Sequence, residues 1–156
     1  MNRVDLSSVA PEHDPTKPEG FRRGKASLGP GLGAEATGAT VYELPPGQAV
    51  CPYHYELGEE EWVLVLDGQA SVRTPDGTHT LGPGELVFFA TGPAGAHKIS
   101  NESDITLRIL MWSNIVFPTA TVYPDSDKVG IYTRDASDDL IVERSSRVGY
   151  FHGEAG

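Results

Sequence analysis

The sequence predicts an all-β fold, either a sandwich or a barrel. Short runs with strand character alternate with turn signals roughly every eight to twelve residues. Glycine (18) and proline (12) are abundant, and both residue types favour short elements joined by tight turns. No segment has a convincing helical period. At 156 residues the chain has the length of one domain that can bury a core.

The N-terminal segment, residues 1–37, is predicted to be an irregular arm, because prolines and glycines break any periodicity there. Such an arm is disordered, wraps the surface of its own domain or crosses onto a partner subunit. Within it, Arg22, Arg23 and Lys25 form a small basic spot, which we interpret as solvated surface. The remaining residues, 38–156, are expected to form a single barrel domain.

Strands are predicted from residue 40 onward, where β-branched and aromatic residues become frequent. The Asp67-Gly68 pair is a strong signal for a tight turn between two of these strands. Two acidic C-terminal loops, 125–127 and 135–139, lack a calcium-binding pattern and are interpreted as solvated loops. The predicted strands cover residues 40–44, 62–66, 69–74, 79–81, 85–89, 97–100, 105–112, 121–123, 130–133 and 140–142.

The strand over residues 62–66 is apolar on both faces. If Glu61 points into the barrel, then Trp62, Leu64 and Leu66 point outward, because side chains alternate along a strand. An outward apolar face has to be covered, either by the arm or by another subunit. We therefore expect a homodimer.

Charge and cysteine content exclude several classes of protein. The formal net charge of -10 repels phosphate backbones, so no nucleic-acid partner is expected. A single cysteine, Cys51, excludes an internal disulfide framework and a cysteine-only zinc site. No signal peptide and no apolar run of membrane-spanning length are visible, so we expect a cytoplasmic protein without a membrane partner.

One short segment gathers the side chains that bind divalent metals. Residues 54–61 contain His54 and four glutamates, and they lead directly into the strand that ends at Leu66. His97 follows a Gly/Pro-rich loop and supplies a second histidine. Imidazole and carboxylate groups held on rigid elements are typical metal ligands. Taken singly, each of these residues also fits a solvated surface position or a buried position whose hydrogen bonds are satisfied by the protein.

Both segments resemble the two motifs of the cupin superfamily, over roughly residues 40–113. The first motif is a glycine, a His-x-His pair, a glutamate and a glycine. The second is a glycine, a Pro-x-Gly, a histidine and an asparagine, and here Ala90 takes the proline position with a lengthened spacer. The matching residues are Gly47, His54, Glu61 and Gly68 in the first motif and Gly84, Gly92, His97 and Asn101 in the second.

The resemblance implies a double-stranded β-helix (jelly-roll) barrel, with the irregular arm before it and a short C-terminal extension after it. It also implies a divalent metal bound by His54, Glu61 and His97. The cupin pattern has a further histidine two residues after the first, where this chain has Glu56. Glu56 shares a strand face with His54, so it could ligate the metal, act as a general base beside the substrate, or mark a weakened metal site. Two histidines and two glutamates suit iron, manganese or zinc, with nickel possible, rather than copper.

Two classes of function follow from this resemblance. The first is a metal-dependent enzyme, an oxygenase, isomerase or related catalyst, acting on a small organic molecule with Glu56 as the catalytic carboxylate. A variant of it is a 2-oxoglutarate-dependent oxygenase with Arg108 as the co-substrate anchor. The second class is a non-catalytic small-ligand-binding or regulatory cupin. The fold does not choose between them.

Overall fold

Three antiparallel sheets make up the protein in a computed structural model that describes residues 1–154. The one α-helix among these residues is α1, Gly29–Leu32. The strands are β1 (Glu12–His13), β2 (Gly24–Ser27), β3 (Thr37–Leu44), β4 (Tyr55–Glu56), β5 (Glu61–Asp67), β6 (Ala70–Thr74), β7 (Gly77–Leu81), β8 (Leu86–Phe89), β9 (Lys98–Ser100), β10 (Leu107–Asn114), β11 (Thr119–Tyr123), β12 (Lys128–Tyr132) and β13 (Leu140–Glu143). The predicted all-β barrel fold is confirmed.

The main sheet has the strand order β1-β2-β3-β10-β5-β8. A three-stranded sheet, β7-β6-β9, packs against it, and the core lies between the two. Alternation along β5 places Val63 and Val65 in this core with at most 1% of their surface exposed. Across the core, Val72 of β6 and Ile99 of β9 are equally buried. The remaining sheet, β13-β12-β11-β4, is formed mainly by the C-terminal strands.

The Asp67-Gly68 turn lies where the sequence predicts it. Gly68 has a φ of 81°, which glycine adopts without strain. A Cβ at this position would lie 2.7 Å from the carbonyl oxygen of Thr106, so the turn also requires a residue without a side chain. The turn ends β5 in a fixed register, and that register determines which face of β5 carries Glu61.

The N-terminal arm is more ordered than its composition predicts. Residues Gly24–Ser27 form β2, which pairs antiparallel with β3, and β1 pairs with β2. Neither Gly24-Lys25-Ala26-Ser27 nor Glu12-His13 has a strong strand propensity. The free edge of β3 supplies the hydrogen-bonding partners instead, so tertiary context determines this strand.

The outer face of the main sheet carries the apolar residues that the sequence places outside the barrel. The ring of Trp62 lies 4.7 Å from that of Phe88 and 6.0 Å from that of Trp112. Arg108 is on the same side, where it donates hydrogen bonds to the carbonyl oxygens of Leu6 and Val9 in the arm (3.2 and 3.0 Å). Because Arg108 therefore points away from the barrel interior, the interpretation of Arg108 as a co-substrate anchor is wrong.

No helix among residues 1–154 is both long and apolar enough to cross a membrane.

Candidate metal centre

Backbone pairing brings the two histidines of the motifs together. His54 lies just before β4 and His97 just before β9, and the two form an isolated antiparallel bridge. The amide of His54 donates to the carbonyl oxygen of His97 (3.0 Å), and the amide of His97 donates back (2.8 Å). This reciprocal pair fixes both side chains on one side of the local backbone.

Each imidazole is oriented by a carbonyl oxygen two residues earlier in the chain. Nδ1 of His54 donates to the carbonyl oxygen of Pro52 (3.0 Å), and Nδ1 of His97 donates to that of Gly95 (2.9 Å). A carbonyl oxygen can only accept, so the proton of each neutral ring is on Nδ1. In that neutral form the Nε2 lone pair of each ring is available to a metal, which is the usual arrangement of metal-binding histidines.

Glu61, at the start of β5, completes a group of three converging ligand atoms. Its Oε2 atom lies 3.5 Å from Nε2 of His54 and 3.5 Å from Nε2 of His97. One ligand atom from each of the three residues lies within 4.8 Å of the other two. Atoms bound at about 2.1 Å to one metal lie roughly 3.0 to 3.4 Å apart. The two 3.5 Å distances from Glu61 are close to this range.

Two of these three ligand atoms lack a hydrogen-bond partner among the described residues. Among the described residues, Oε2 of Glu61 and Nε2 of His97 are buried and have no hydrogen-bond partner. A buried polar atom without a partner is unfavourable by about 1–3 kcal/mol. A divalent cation would satisfy both atoms, so the residues present fit a metal ion. The predicted ligands His54, Glu61 and His97 are therefore placed together.

Electrostatics within this group follow from burial and mutual charge. Burial by itself lowers the pKa of His54, but contacts with Cys51 and then Glu61 outweigh burial and raise that pKa. Burial, followed by the neighbouring charge of His54, lowers the pKa of His97 to about 4. Burial raises the pKa of Glu61, yet contacts with His54 and His97 leave it below its usual value. The carboxylate of Glu61 is thus held as an anion that attracts a cation.

Glu56, on β4, lies beside this group. Its Oε1 atom is 3.6 Å from Nε2 of His54, and both of its carboxylate oxygens are 2.8 Å from the hydroxyl of Thr121, which donates to them. Burial is the largest influence on the side chain and raises the pKa of Glu56 to about 7. Its assignment as a metal ligand or catalytic carboxylate stays a prediction.

A cavity of about 300 Å³ opens beside His54 and Glu56, and we call it the metal-side cavity. Tyr123 lines this cavity, and its ring centroid lies 6.2 Å from that of His54. The hydroxyl of Tyr123 lies 2.6 Å from the hydroxyl of Tyr132. The other lining residues are Cys51, Glu59, Phe117, Thr119 and Thr121. Four of the nine lining residues come from β11 and β12, outside the two motifs.

Sequence reasoning missed these wall residues, although the chain carries one signal for them. Thr119, Thr121 and Tyr123 alternate along β11 and therefore share one face. The alternation does not show what that face covers. It covers the cavity because β11 pairs with β4, where Thr121 is in register with Glu56.

The remaining two glutamates of residues 54–61 have separate roles. Glu60 is exposed, as expected for a solvated residue. Glu59 is half-buried instead, because its carboxylate accepts a hydrogen bond from the amide of Val116 (3.0 Å) and lines the cavity. The loop that leads into β5 is thereby fixed to the C-terminal segment.

Several solved structures resemble this chain in fold. The chain resembles a candidate sugar phosphate isomerase from Acidithiobacillus ferrooxidans, with 28% identity over 92% of this chain and 91% of that one, and a TM-score of 0.80. It resembles a polyketide cyclase from Streptomyces resistomycificus, with 26% identity over 76% and 83% of the two chains, and a TM-score of 0.60. A sugar phosphate isomerase from Silicibacter pomeroyi shares the fold, with 23% identity over 92% and 94% of the two chains, and a TM-score of 0.79.

A search of curated proteins finds no match. The cupin-domain family profile matches residues 40–113, the span that contains both motifs and all three converging ligand residues. Residues 40–113 therefore form a cupin domain.

Proposed function

We propose that this protein is a metal-dependent isomerase that acts on a small hydroxylated organic molecule. The observation that carries the proposal is the convergence of His54, Glu61 and His97 on one point, with Glu56 beside it at the wall of a cavity. Three such ligands and an open side are the arrangement of a catalytic rather than a purely structural metal site.

The proposed metal is divalent, and iron, manganese, zinc and nickel all accept imidazole and carboxylate ligands. His54, Glu61 and His97 would hold it. When bound, such a cation supplies a Lewis acid that polarises a carbonyl or hydroxyl oxygen of the substrate.

The proton transfer is assigned to the carboxylate of Glu56. Its carboxylate faces the cavity and is held by Thr121, so its orientation is fixed before a substrate arrives. A base in this position removes a proton from the carbon next to the polarised carbonyl group and returns it to the carbonyl carbon. The proton of the neighbouring hydroxyl passes to the former carbonyl oxygen, so the carbonyl and hydroxyl groups exchange places. Substrate and product of such a transfer are isomers, so no oxidant or second substrate is needed.

The aromatic residues that line the metal-side cavity are assigned to substrate binding. Tyr123 and Tyr132 present a pair of hydroxyls, and Phe117 adds an apolar surface. Hydroxyl groups that can donate or accept suit a hydroxylated ligand, while the rings exclude water from it. Support for isomerisation as the reaction also comes from the 28% identity, over most of both chains, to the candidate sugar phosphate isomerase.

Solvent deuterium exchange tests the proposed reaction. We expect metal-loaded protein in D2O to incorporate deuterium next to the carbonyl group of at least one member of a panel of aldoses, ketoses and their phosphates, as read by NMR. A chelator should abolish the exchange, and one of the four metals should restore it. Metal-loaded protein that exchanges none of the panel would contradict the proposal and favour a non-catalytic ligand-binding cupin.

A further inference from the structure

A second hollow adjoins the metal-side cavity and has the opposite charge. It has a volume of about 520 Å³, is open to solvent, and shares Cys51 and Tyr123 with the metal-side cavity as a common rim. Its other lining residues are Lys17, Pro18, Phe21, Arg23, Val50, Pro52, Lys128 and Ile141. Three of them are cations and none is a carboxylate, so we call this hollow the cationic cavity.

This concentration of cations contrasts with the rest of the chain. The sequence has 22 acidic and 12 basic side chains. The metal-side cavity is lined by Glu56 and Glu59 and by no lysine or arginine. Two adjoining cavities whose lining side chains carry opposite charges would suit a ligand with one anionic end and one neutral, hydroxylated end.

Arg23 is the best placed of the three cations. Its Nε atom is buried and has no hydrogen-bond partner among the described residues. Its guanidinium carbon lies 5.4 Å from the ring centroid of Tyr42, and one Nη atom donates a long hydrogen bond (3.4 Å) to the carbonyl oxygen of Phe21. Of the basic spot predicted from sequence, Arg22 and Lys25 are exposed, whereas Arg23 turns inward.

Lys128 also forms no ion pair with the part of the chain that the structure describes. Its Nζ atom lies 5.5 Å from the ring centroid of Tyr123, which belongs to both cavities. Within residues 1–154, no carboxylate oxygen lies within 4.0 Å of the charged nitrogens of Arg23 or Lys128. Lys17 is 3.8 Å from a carboxylate oxygen of Asp14 and is thus partly neutralised. Among residues 1–154, Arg23 and Lys128 are therefore two cations without an ion pair that line the same open hollow.

We propose that the cationic cavity binds the phosphate group of a phosphorylated substrate whose hydroxylated end reaches over the Cys51–Tyr123 rim to Glu56. The inference rests on the proposed function and names its substrate class. A guanidinium donates paired hydrogen bonds to phosphate oxygens, and an ammonium adds a point charge. Inside a partly enclosed space these contacts are stronger than at an open surface.

Binding of inorganic phosphate to the full-length protein tests the inference, with affinity measured by calorimetry. We expect Arg23→Gln and Lys128→Gln each to weaken phosphate binding about tenfold or more, since a hydrogen bond to a charged group contributes about 1.5–3 kcal/mol. The matched control is Lys25→Gln, which removes an equal charge from the exposed part of the same basic spot and should leave the affinity unchanged. Thermal unfolding of each variant checks that it is folded.

Two further titrations show whether the binding is independent of a metal and selective for phosphate. The measurement is repeated in His97→Ala, where the phosphate affinity should persist, because it does not depend on an ion held by the histidines. Acetate is titrated in parallel and should bind more weakly than phosphate. Any one of four results would overturn the inference. These are no phosphate binding by the wild type, equal weakening in Lys25→Gln, loss of phosphate binding in His97→Ala, and tighter binding of acetate than of phosphate.

The outcomes distinguish this inference from the proposed function. If the protein binds metal and exchanges deuterium into unphosphorylated sugars but binds no phosphate, the inference fails and the proposed function stands. If phosphate binds through Arg23 and Lys128 while metal-loaded protein exchanges no substrate, the proposed reaction fails and the anion site stands.

Discussion

At the scale of single residues, Glu56 differs from Glu61 in what holds it. Glu61 is directed at both histidines, and its Oε2 atom has no hydrogen-bond partner among the described residues. Glu56 has its carboxylate anchored by Thr121, a residue 65 positions later in the chain. An anchored carboxylate next to a metal ligand suits proton transfer, whereas an unpartnered one suits metal binding.

Glu56→Gln separates these two roles. Gln keeps the shape of the side chain and can still accept from Thr121, so we expect an intact fold and unchanged metal content. The rate of deuterium exchange should fall by about 10²- to 10⁴-fold, the contribution of a positioned general base. Metal analysis and NMR exchange measured on the same preparation check both expectations.

Glu60→Gln is the control for this substitution, because Glu60 is exposed and lies four residues away. It should leave metal content and exchange rate unaltered. Loss of metal in Glu56→Gln would assign Glu56 to the ligand sphere instead, and an unchanged exchange rate would remove it from the reaction.

Sequence alone was sufficient to predict which three side chains converge but not what surrounds them. The resemblance to the two cupin motifs implies the group His54, Glu61 and His97, and the structure brings these residues together. The resemblance does not imply Thr121 and Tyr123, because their roles depend on the pairing of β11 with β4, a contact between distant segments. Such pairing is a property of the tertiary structure and leaves only a weak local pattern.

At the scale of elements, the loop between β8 and β9 determines the position of His97. Gly95 accepts the hydrogen bond from the imidazole of His97, and its Cα packs closely against the backbone of Ala90. A Cβ on Gly95 would lie 1.7 Å from the carbonyl oxygen of Ala90. The loop therefore holds its shape only with glycine at this position.

Gly95→Ala should displace the loop and with it His97. We expect a destabilisation of about 1–3 kcal/mol or more, as for other overpacked sites, together with weaker metal binding. The melting temperature should fall by several degrees in a protein of this size. Calorimetric unfolding and metal titration measure the two effects.

Gly82→Ala provides the comparison. The nearest atom to a Cβ on Gly82 is a side-chain oxygen of Glu85 at 3.7 Å, which is an ordinary contact. Stability and metal affinity should therefore be close to those of the wild type. A stable Gly95→Ala protein with unchanged metal affinity would show that this loop does not position the histidine.

Strand positions were predictable at this scale wherever the hydrophobic pattern was strong. β5 and β8 lie close to their predicted bounds because each is a continuous apolar run between turn signals. β2 was not predictable, since Gly24-Lys25-Ala26-Ser27 has no such pattern and pairs only because β3 offers a free edge.

At the scale of the whole molecule, the outer face of the main sheet carries a large apolar surface. Leu86 and Phe88 lie on the edge strand β8 and are 52% and 41% exposed. The ring of Phe88 packs against that of Trp62, which is itself half-buried. An apolar surface at a free strand edge is suited to a second copy of the chain, and we propose that it forms a homodimer interface.

Phe88→Glu tests the homodimer. The substitution places a charge in the proposed interface of both copies, and we expect the dimer dissociation constant to rise about 30-fold or more. Sedimentation equilibrium over a range of concentrations measures it. Ile105→Glu, which alters an apolar residue that is 60% exposed elsewhere, should leave the dimer intact. A wild-type protein that is monomeric at every concentration would refute this interface.

The opposite charges of the two cavities are also a property of the whole molecule. Lys17, Arg23 and Lys128 come from the arm and from β12, so no short segment of sequence reveals their meeting. A net charge of -10 predicts a surface that is anionic on average. It gives no indication of a local cluster of cations such as the cationic cavity.

The metal content of the purified protein is the most direct test of whether His54, Glu61 and His97 form a divalent metal site. Protein purified without added metal is analysed by elemental mass spectrometry, alongside His54→Ala, His97→Ala and, as a control, His79→Ala, whose histidine is exposed on β7. We predict about one divalent ion per chain in the wild type and in His79→Ala, and only background in the other two folded variants. A wild type without metal, or equal metal in His97→Ala, would contradict the account.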